Sequence, residues 1–158
     1  MSITFFFIFF VACCVTASSG TLFPTGAWYE SLKKPVWTPP NWAFPIAWTT
    51  LYLILSFVGM RAALNPDGNL ALALWALQGS FATLWTPVFF GLKKMGVALV
   101  IMLGLWGAVL SMLICYWQLD PLLGILIVPY LFWVSYAAAL NFTVWKMNPN
   151  ETPRDLAN

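Results

Sequence analysis

The sequence predicts an all-α membrane protein, a bundle of five transmembrane helices with a long, structured first loop. Of its 158 residues, 61% are hydrophobic and only 8% are charged, whereas a soluble domain carries about 25% charge. Five apolar stretches are each long enough to cross a bilayer, and turn-forming or proline-rich segments separate them. So few charges cannot cover the surface of a soluble globule, whereas lipid requires no polar coat.

The five stretches follow from the thickness of the bilayer. A spanning helix needs about 20 mostly apolar residues because the hydrocarbon core is about 30 Å thick. The stretches of this length are residues 3–23, 43–63, 70–90, 95–117 and 122–145. They make residues 1–147 a single membrane domain, and residues 148–158 form a polar C-terminal tail. No Lys or Arg precedes the first stretch, so we expect it to be a span and not a cleaved signal peptide.

The basic residues predict the orientation. With five spans, the first loop, the third loop and the C-terminal tail share one side of the membrane, and six of the seven Lys and Arg residues lie there. The positive-inside rule therefore places the C-terminus inside and the N-terminus outside, for a chain inserted by the inner-membrane route.

The composition excludes several classes of function. The chain has no histidine, which excludes a Ser-His-Asp triad and a His-ligated metal or haem iron. No charged side chain lies in the middle of a predicted span, which argues against an ion-coupled carrier and against carboxylate acid–base catalysis. A net charge of +2 without a basic run argues against nucleic acid as a partner. We therefore predict no catalytic residue, no metal and no required cofactor.

The three cysteines, Cys13, Cys14 and Cys115, form neither a disulfide framework nor a metal-binding motif. Two of them are adjacent in one apolar run and the third stands alone in another. We interpret all three as small apolar packing residues.

The first loop, residues 24–42, is too long and too patterned to be a passive connector. It contains four prolines, three tryptophans and one tyrosine. The prolines restrict the backbone, and the aromatic content argues against disorder. Two interpretations stay open. The aromatic residues form a belt at the level of the lipid headgroups, or they form a lid that stacks a flat hydrophobic ligand over a cavity between helices.

Four motifs follow one another along the chain. The first loop carries Trp28-Tyr29-x-x-Leu32-x-Lys34-Pro35-x-Trp37-x-Pro39-Pro40, and the second stretch begins with Trp42-x-Phe44-Pro45-x-x-Trp48-x-x-Leu51-Tyr52. The third stretch carries Gln78-x-x-x-x-Thr83-Leu84-Trp85-x-Pro87-x-Phe89-Phe90-Gly91, and the fifth carries Pro129-Tyr130-Leu131-x-Trp133 and Leu140-Asn141-Phe142. Their order, their spacing and the number of spans resemble the TspO/translocator family of tryptophan-rich sensory proteins, in its bacterial form. The resemblance covers roughly residues 5–147.

This resemblance implies a five-helix bundle, commonly a homodimer, in a bacterial cell envelope, with the inner and the outer membrane both open. It implies an integral membrane receptor or sensor that regulates tetrapyrrole handling. Its ligands would be porphyrins such as protoporphyrin IX and haem, ligands of the benzodiazepine-receptor type, and lipid or sterol-like molecules. The alternatives are a light-dependent porphyrin-degrading enzyme and a passive porphyrin or sterol translocator.

By the same resemblance, nine residues line the ligand cavity. They are Tyr29, Trp37, Pro40, Trp48, Tyr52, Ala82, Trp85, Trp133 and Ala137. Trp48 and Tyr52 are four residues apart and share one helical face. An aromatic stripe at this spacing also suits plain helix packing, and that interpretation stays open.

Two positions depart from the family pattern. Ala82 stands where many relatives carry Asn, so a hydrogen bond in the cavity is lost or is supplied by Thr83, Thr86 or Gln78. Phe142 stands where the animal proteins carry the Tyr of a motif proposed to recognise cholesterol. We therefore do not predict physiological cholesterol transport.

Two further features predict contacts between helices. Asn141 is polar in a nearly apolar stretch, which predicts an interhelical hydrogen bond. Gly104-x-x-x-Ala108 is a pattern of small residues that lets helices approach closely, within one chain or across a two-fold dimer. The tendency of the family to dimerise favours the dimer, so we assign Gly104 and Ala108 to a homodimer interface.

Overall fold

The structure, a computed structural model, describes residues 2–150 and contains helices and no strands in that range. Its elements are α1 (Ser2–Leu22), α2 (Ala27–Ser31), α3 (Ala43–Ala63), α4 (Asn69–Thr86), a π-helical turn (Pro87–Gly91), α5 (Met95–Leu119) and α6 (Pro121–Met147). The all-α class predicted from the sequence is confirmed.

Four helices, α1, α3, α5 and α6, are long and apolar enough to cross a membrane. They coincide with four of the five predicted stretches. The third predicted stretch, 70–90, is built as α4 followed by the π turn, and α4 is not among the candidate spans. Polar residues within α4, such as Asn69, Gln78 and Thr83, lower its hydropathy. The count of five spans therefore stays a prediction.

Pro87 explains why the third stretch is not one regular helix. Proline has no N–H to donate to the carbonyl four residues earlier, so the α-helical ladder cannot continue through it. The turn widens instead, and the Leu92 N–H donates to the Pro87 carbonyl at 2.8 Å, five residues back. Lys93 then adopts a left-handed conformation, with φ of 56°, which commonly ends a helix. The next helix, α5, begins two residues later.

The start of α6 is specified locally. The Asp120 carboxylate accepts the Leu122 N–H at 3.0 Å, and Pro121 occupies the first helical position. Both are favoured at a helix N-terminus. Asp120 also pairs with Arg61 of α3 at 3.3 Å; both side chains are partly exposed, so the pair contributes little stability. Pro129 lies inside α6 without ending it.

The helices pack around one apolar core. The closest pairs are α5 with α6, α4 with α5, and α1 with α3, whereas α1 meets α4, and α3 meets α6, over shorter contacts. The fully buried side chains come from the middle of the long helices: Leu55, Val58, Met102, Leu105, Val109, Met112, Ile127 and Val134. Lipid tails are as apolar as these side chains, so close packing between them, and not exclusion of water, holds the helices together.

A smaller core lies at the end of the bundle that carries the first loop. Its buried members come from the loop, the π turn, the start of α5 and the end of α6: Leu32, Phe89, Met95, Ala98, Leu140 and Val144. The first loop is thus packed into the protein, which agrees with the argument against disorder.

Gly104 and Ala108 both make contacts within one chain. A Cβ added at Gly104 would lie 2.7 Å from Phe81 Cε1 of α4, and Ala108 is 5% exposed. The small residues therefore allow α5 to approach α4, which is the first of the two arrangements that their spacing permits. The homodimer, and the assignment of Gly104 and Ala108 to its interface, stay predictions.

Replacing Gly104 with Leu should destabilise the protomer by about 1–3 kcal/mol, because the new side chain overlaps Phe81 in a packed interface. The measurement is thermal unfolding of the purified protein in detergent. Gly107→Leu is the matched control, since no atom lies within 4 Å of a Cβ added at Gly107. Equal melting temperatures for the two variants would refute the assignment to α4–α5 packing.

Candidate ligand-binding site

The helix in the first loop, α2, rests on the π turn. The rings of Trp28 and Tyr29 lie against Phe89, with centroids 6.0 and 6.3 Å away, and Tyr29 also meets Phe90 at 5.3 Å. Trp85 stacks on Phe89 at 5.0 Å. We call these five residues the loop cluster. They join the first loop to the widened turn that Pro87 produces.

Asn148 fixes the loop from the end of α6. Its side-chain amide pairs with the backbone of Lys33 in both directions: the Lys33 N–H donates to Oδ1 at 2.9 Å, and Nδ2 donates to the Lys33 carbonyl at 2.9 Å. Nδ2 also donates to the Val144 carbonyl at 2.7 Å. Asn148 is 6% exposed. It therefore acts as a buried clamp between the loop and the last helix.

A second attachment lies on the other side of the loop. The Tyr136 hydroxyl of α6 donates to the Trp37 carbonyl, and the two rings meet edge to face at 5.5 Å. Tyr136 stacks on Trp133 at 6.1 Å, and Trp133 meets Phe44 of α3 at 5.8 Å. We call Trp37, Tyr136, Trp133 and Phe44 the aromatic ladder. It runs from the loop to the seam between α3 and α6.

Three aromatic residues continue the seam toward the centre of the bundle. Trp48 lies 5.4 Å from Tyr52 on α3 and 6.2 Å from Tyr130 on α6. We call Trp48, Tyr52 and Tyr130 the inner trio. The Tyr130 hydroxyl donates to Gln78 Oε1 of α4 at 2.7 Å, and Gln78 Nε2 donates to the Trp75 carbonyl at 2.9 Å. This buried network fixes the orientation of Tyr130, and so of the ring against which Trp48 packs.

Asn141 joins three elements. Its Oδ1 accepts the indole N–H of Trp85 at 3.0 Å, and its Nδ2 donates to the Met95 carbonyl at the start of α5 at 3.0 Å. Asn141 is 2% exposed. The interhelical hydrogen bond predicted from the sequence is confirmed, and it sets the direction of Trp85 in the loop cluster.

The basic residues surround the loop cluster. Lys34 Nζ lies 4.4 Å from the centroid of the Tyr29 ring, and Lys93 Nζ lies 5.8 Å from that of Trp28. Ammonium groups at these distances are attracted to aromatic faces. Burial raises the pKa of the Tyr29 hydroxyl, so this phenol stays protonated near neutral pH and can donate a hydrogen bond. The loop end of the bundle is thus both aromatic and positive.

A cavity of about 520 Å³ lies between α1, α3 and α4. Its lining consists of Ala12, Cys13, Thr16, Tyr52, Trp75, Ala76, Gln78, Gly79, Ser80, Thr83 and Leu84. Of the nine residues predicted from the resemblance, Tyr52 lines this cavity. The cavity is therefore separate from the aromatic ladder and touches the inner trio at one residue.

The nine predicted residues divide among these features. Tyr29 and Trp85 belong to the loop cluster, Trp37 and Trp133 to the ladder, and Trp48 and Tyr52 to the inner trio. Pro40 is exposed in the loop, Ala137 is half-buried on α6, and Ala82 is buried in the core. Their shared role in ligand binding stays a prediction.

Ala82 stands where many relatives carry Asn, and of the three polar residues that could replace that hydrogen bond, Thr83, Thr86 and Gln78, two make side-chain contacts with other helices. Thr83 turns to α1, where its hydroxyl lies 3.4 Å from that of Thr16, and it lines the cavity. Gln78 turns to Tyr130 of α6. Of the two, Gln78 is the one joined to the inner trio.

Sequence reasoning missed four residues at the site. Phe44 and Tyr130 stand in the quoted motifs, but the resemblance does not include them among the nine cavity residues. Tyr136, three residues after Trp133, shares its helical face, so spacing alone could have indicated it. Asn148 was placed in the polar tail, and nothing in its neighbourhood indicates that its side chain pairs with Lys33. Residues 151–158 of the predicted tail lie outside the described residues.

These helices and their aromatic interior define an all-α protein with several apolar, membrane-length helices. The sequence model of the TspO/MBR family matches residues 6–146. The chain belongs to this family, and it is a multi-pass membrane protein of the sensor and translocator type. The resemblance of the four motifs is thereby confirmed.

Named relatives cover most of the chain. It is similar to "Protein CrtK" of Rhodobacter capsulatus, with 46% identity over 97% of this chain and 98% of the relative. It is similar to "Tryptophan-rich sensory protein" of Cereibacter sphaeroides, with 44% identity over 92% of each. Its identity to "Translocator protein" of Homo sapiens is 33%, over 77% of this chain and 75% of the relative.

Asn141→Leu should lower the free energy of unfolding by about 1–3 kcal/mol, because the indole N–H of Trp85 loses its acceptor in an apolar interior. The measurement is thermal unfolding in detergent. The control, Ser135→Ala, removes the acceptor of another indole, that of Trp106, at the lipid-facing surface. We expect it to cost only about 0.6 kcal/mol, the average for such bonds in membranes. Equal losses of unfolding free energy in the two variants would show that the bond of Asn141 stabilises the fold no more than the exposed bond of Ser135 does.

Asn148→Ala should loosen the first loop, because it removes three hydrogen bonds at once. We expect the amides of residues 28–38 to exchange hydrogen roughly tenfold faster, since local opening becomes easier. Hydrogen–deuterium exchange with mass spectrometry measures this. Asn150→Ala, two residues further at an exposed position, serves as the control. Unchanged exchange in Asn148→Ala would mean that packing alone holds the loop.

Proposed function

We propose that the protein is a membrane receptor that binds porphyrins, such as protoporphyrin IX and haem, against the aromatic ladder and the inner trio beneath the first loop. The observation that carries the proposal is that two groups of aromatic rings follow one another along the α3–α6 seam: the ladder from Trp37 to Phe44, and the inner trio one helical turn further along each helix. Trp48 and Trp133 are half-buried within these groups, so part of each ring stays available to a ligand.

The chemistry of the site suits a flat, hydrophobic ligand with acidic edges. Indole and phenol rings provide wide apolar faces at little cost in conformational entropy. The propionates of a porphyrin would point to the loop end, where Lys33, Lys34 and Lys93 lie. Because the sequence contains no histidine, iron gains no imidazole ligand, and protoporphyrin IX should bind about as well as haem. Ligands of the benzodiazepine-receptor type, which are also flat and apolar, would use the same rings.

The membrane arrangement is part of the proposal. Residues 70–90, containing α4 and the π turn, cross the bilayer as a fifth span, since α4 packs beside α1, α3 and α5. The lysines of the loop end then lie inside, and the N-terminus lies outside. We place the protein in a bacterial cell envelope as a homodimer. Regulation of tetrapyrrole handling fits the word "sensory" in the name of the relative from Cereibacter sphaeroides.

Trp48→Leu and Trp133→Leu should each raise the Kd for protoporphyrin IX roughly two- to tenfold, because a stacked aromatic contact contributes about 0.5–1.5 kcal/mol beyond the area it buries. Titration followed by the Soret absorbance of the porphyrin measures this without relying on tryptophan fluorescence. Trp106→Leu is the matched control, since Trp106 lies between α5 and α6 and bonds to Ser135. Its Kd should equal that of the unmodified protein.

Two outcomes would overturn parts of the proposal. If neither Trp133→Leu in the aromatic ladder nor Trp48→Leu in the inner trio changes the Kd, the porphyrin does not bind against these rings. A loss of Soret absorbance under light with a new bilin-like band, dependent on the same tryptophans, would assign the light-dependent degradation that the sequence left open.

A further inference from the structure

We propose a second ligand site in this protein: the cavity between α1, α3 and α4 binds a neutral lipid whose polar group is a hydroxyl or a carbonyl. The lipid enters from the bilayer between α1 and α4. This site is distinct from the proposed porphyrin site, because no residue of the aromatic ladder lines the cavity and Tyr52 is the one member of the inner trio that does.

The size and the position of the cavity favour a membrane lipid. Its volume of about 520 Å³ lies within the range of about 300–1,000 Å³ that is usual for ligand sites. Ala12 and Thr16 belong to the middle of α1, a candidate span, so the cavity lies at the depth of the acyl chains. Ser80 and Leu84 are exposed at its edge on α4. A molecule dissolved in the bilayer can therefore reach it directly.

Small residues keep the cavity open. Gly79 faces it from α4, and no atom lies within 4 Å of a Cβ added there. Ala12 of α1 and Ala76 of α4 add little volume, and the two helices meet over a short contact. The gap between them is thus a property of the side chains that line it.

The polar atoms of the cavity offer hydrogen bonds without charge. Tyr52 is half-buried and lines the cavity, so its hydroxyl can donate a hydrogen bond to a ligand there. The hydroxyls of Thr16 and Thr83 donate to carbonyls of their own helices at 3.3 and 2.8 Å, so their oxygens can still accept. Gln78 retains one N–H and one lone pair beyond its two bonds.

These groups select the class of ligand. A ligand hydroxyl or carbonyl could accept a hydrogen bond from Tyr52, so its own polar group would not be left unpaired inside the bundle. No Asp, Glu, Lys or Arg lines the cavity, so a carboxylate or phosphate entering it would lack a counter-charge and be strongly disfavoured. The cavity therefore prefers a neutral lipid to a porphyrin with ionised propionates.

The test uses the full-length protein in phosphatidylcholine vesicles and a long-chain diazirine alcohol. We expect light-induced labelling of residues in the 12–16 and 76–84 segments that saturates and is competed by the unlabelled alcohol. The matched diazirine carboxylic acid, at alkaline pH where it is ionised, should label these segments about tenfold less, because it buries a charge. Labelling that does not saturate, or that is equal for acid and alcohol, would overturn the proposal.

Two variants locate the site. Gly79→Leu should fill the cavity and reduce saturable labelling about tenfold, while leaving the Soret titration with protoporphyrin IX unchanged. Gly107→Leu, with equally open space on α5, should leave labelling unchanged. If Gly79→Leu does not fold, Tyr52→Phe is tested in its place. The diazirine alcohol should then label the cavity segments no more strongly than a matching diazirine alkane does. Retained labelling in Gly79→Leu, or stronger labelling by the alcohol in Tyr52→Phe, would refute the site.

A second copy of the chain is the competing occupant. Ser80 lies at the mouth of the cavity. If a second copy covers the mouth, the Ser80→Cys variant should form a disulfide between the two copies. Efficient cross-linking together with absent lipid labelling would assign the mouth to a protein interface and overturn the proposal.

Discussion

A bilayer offers no hydrogen bonds, so the polar side chains inside the bundle find their partners in the protein, with the buried Tyr116 hydroxyl as the exception among the described residues. This constraint accounts for the buried polar contacts that connect the helices. Asn141 bonds to Trp85 and Met95, and Gln78 bonds to Tyr130 and Trp75. The bonds of Asn141 to Trp85 and Met95 and of Gln78 to Tyr130 cross between helices, so they fix relative rotation as well as distance, whereas the bond of Gln78 to Trp75 lies within α4 and orients the amide. The directions of Trp85 and Tyr130, and of the rings packed on them, follow from satisfying these few atoms.

The same constraint distinguishes two regions of the bundle. Helices α3 and α6 approach each other over a short length, and large aromatic rings fill the seam between them. The first loop covers these rings and is attached to α6 and its C-terminal end through Tyr136 and Asn148. Between α1 and α4 the side chains are small, and the space that remains is lined by hydroxyls and one amide. One region is aromatic and lies near lysines, and the other is uncharged and opens to lipid. Different ligands are therefore expected in the two regions, although Tyr52 touches both.

Hydropathy and motif spacing predicted the all-α class, the family, the hydrogen bond of Asn141 and five spans, four of which coincide with the candidate spans of the structure. They could do so because apolar length and an isolated amide are visible in one dimension. The interruption at Pro87 was not predicted. A proline within an apolar stretch is compatible with a kink, a break or a widened turn. In the folded protein, the packing of Phe89 and Phe90 on α2 favours the widened turn. The spacing of Gly104 and Ala108 does not reveal which helix comes close; within the chain Phe81 of α4 lies beside Gly104, and the dimer interface stays a prediction. Asn148 lies one turn past the predicted span, and only the folded loop supplies its partner, the backbone of Lys33.

The placement of charge gives the molecule a direction that the apolar helices alone would lack. Five lysines, Lys33, Lys34, Lys93, Lys94 and Lys146, lie in the first loop, the link after the π turn and the end of α6. Two of them lie over rings of the loop cluster, so positive charge is held beside the aromatic surface and not only in solvent. A flat ligand with acidic edges gains from this arrangement in one orientation, with its acids toward the loop. A neutral lipid gains nothing from the lysines and is drawn to the uncharged hydroxyls between α1 and α4. Under the two proposals, charge separates the ligands of the two regions, which a single apolar cavity could not achieve.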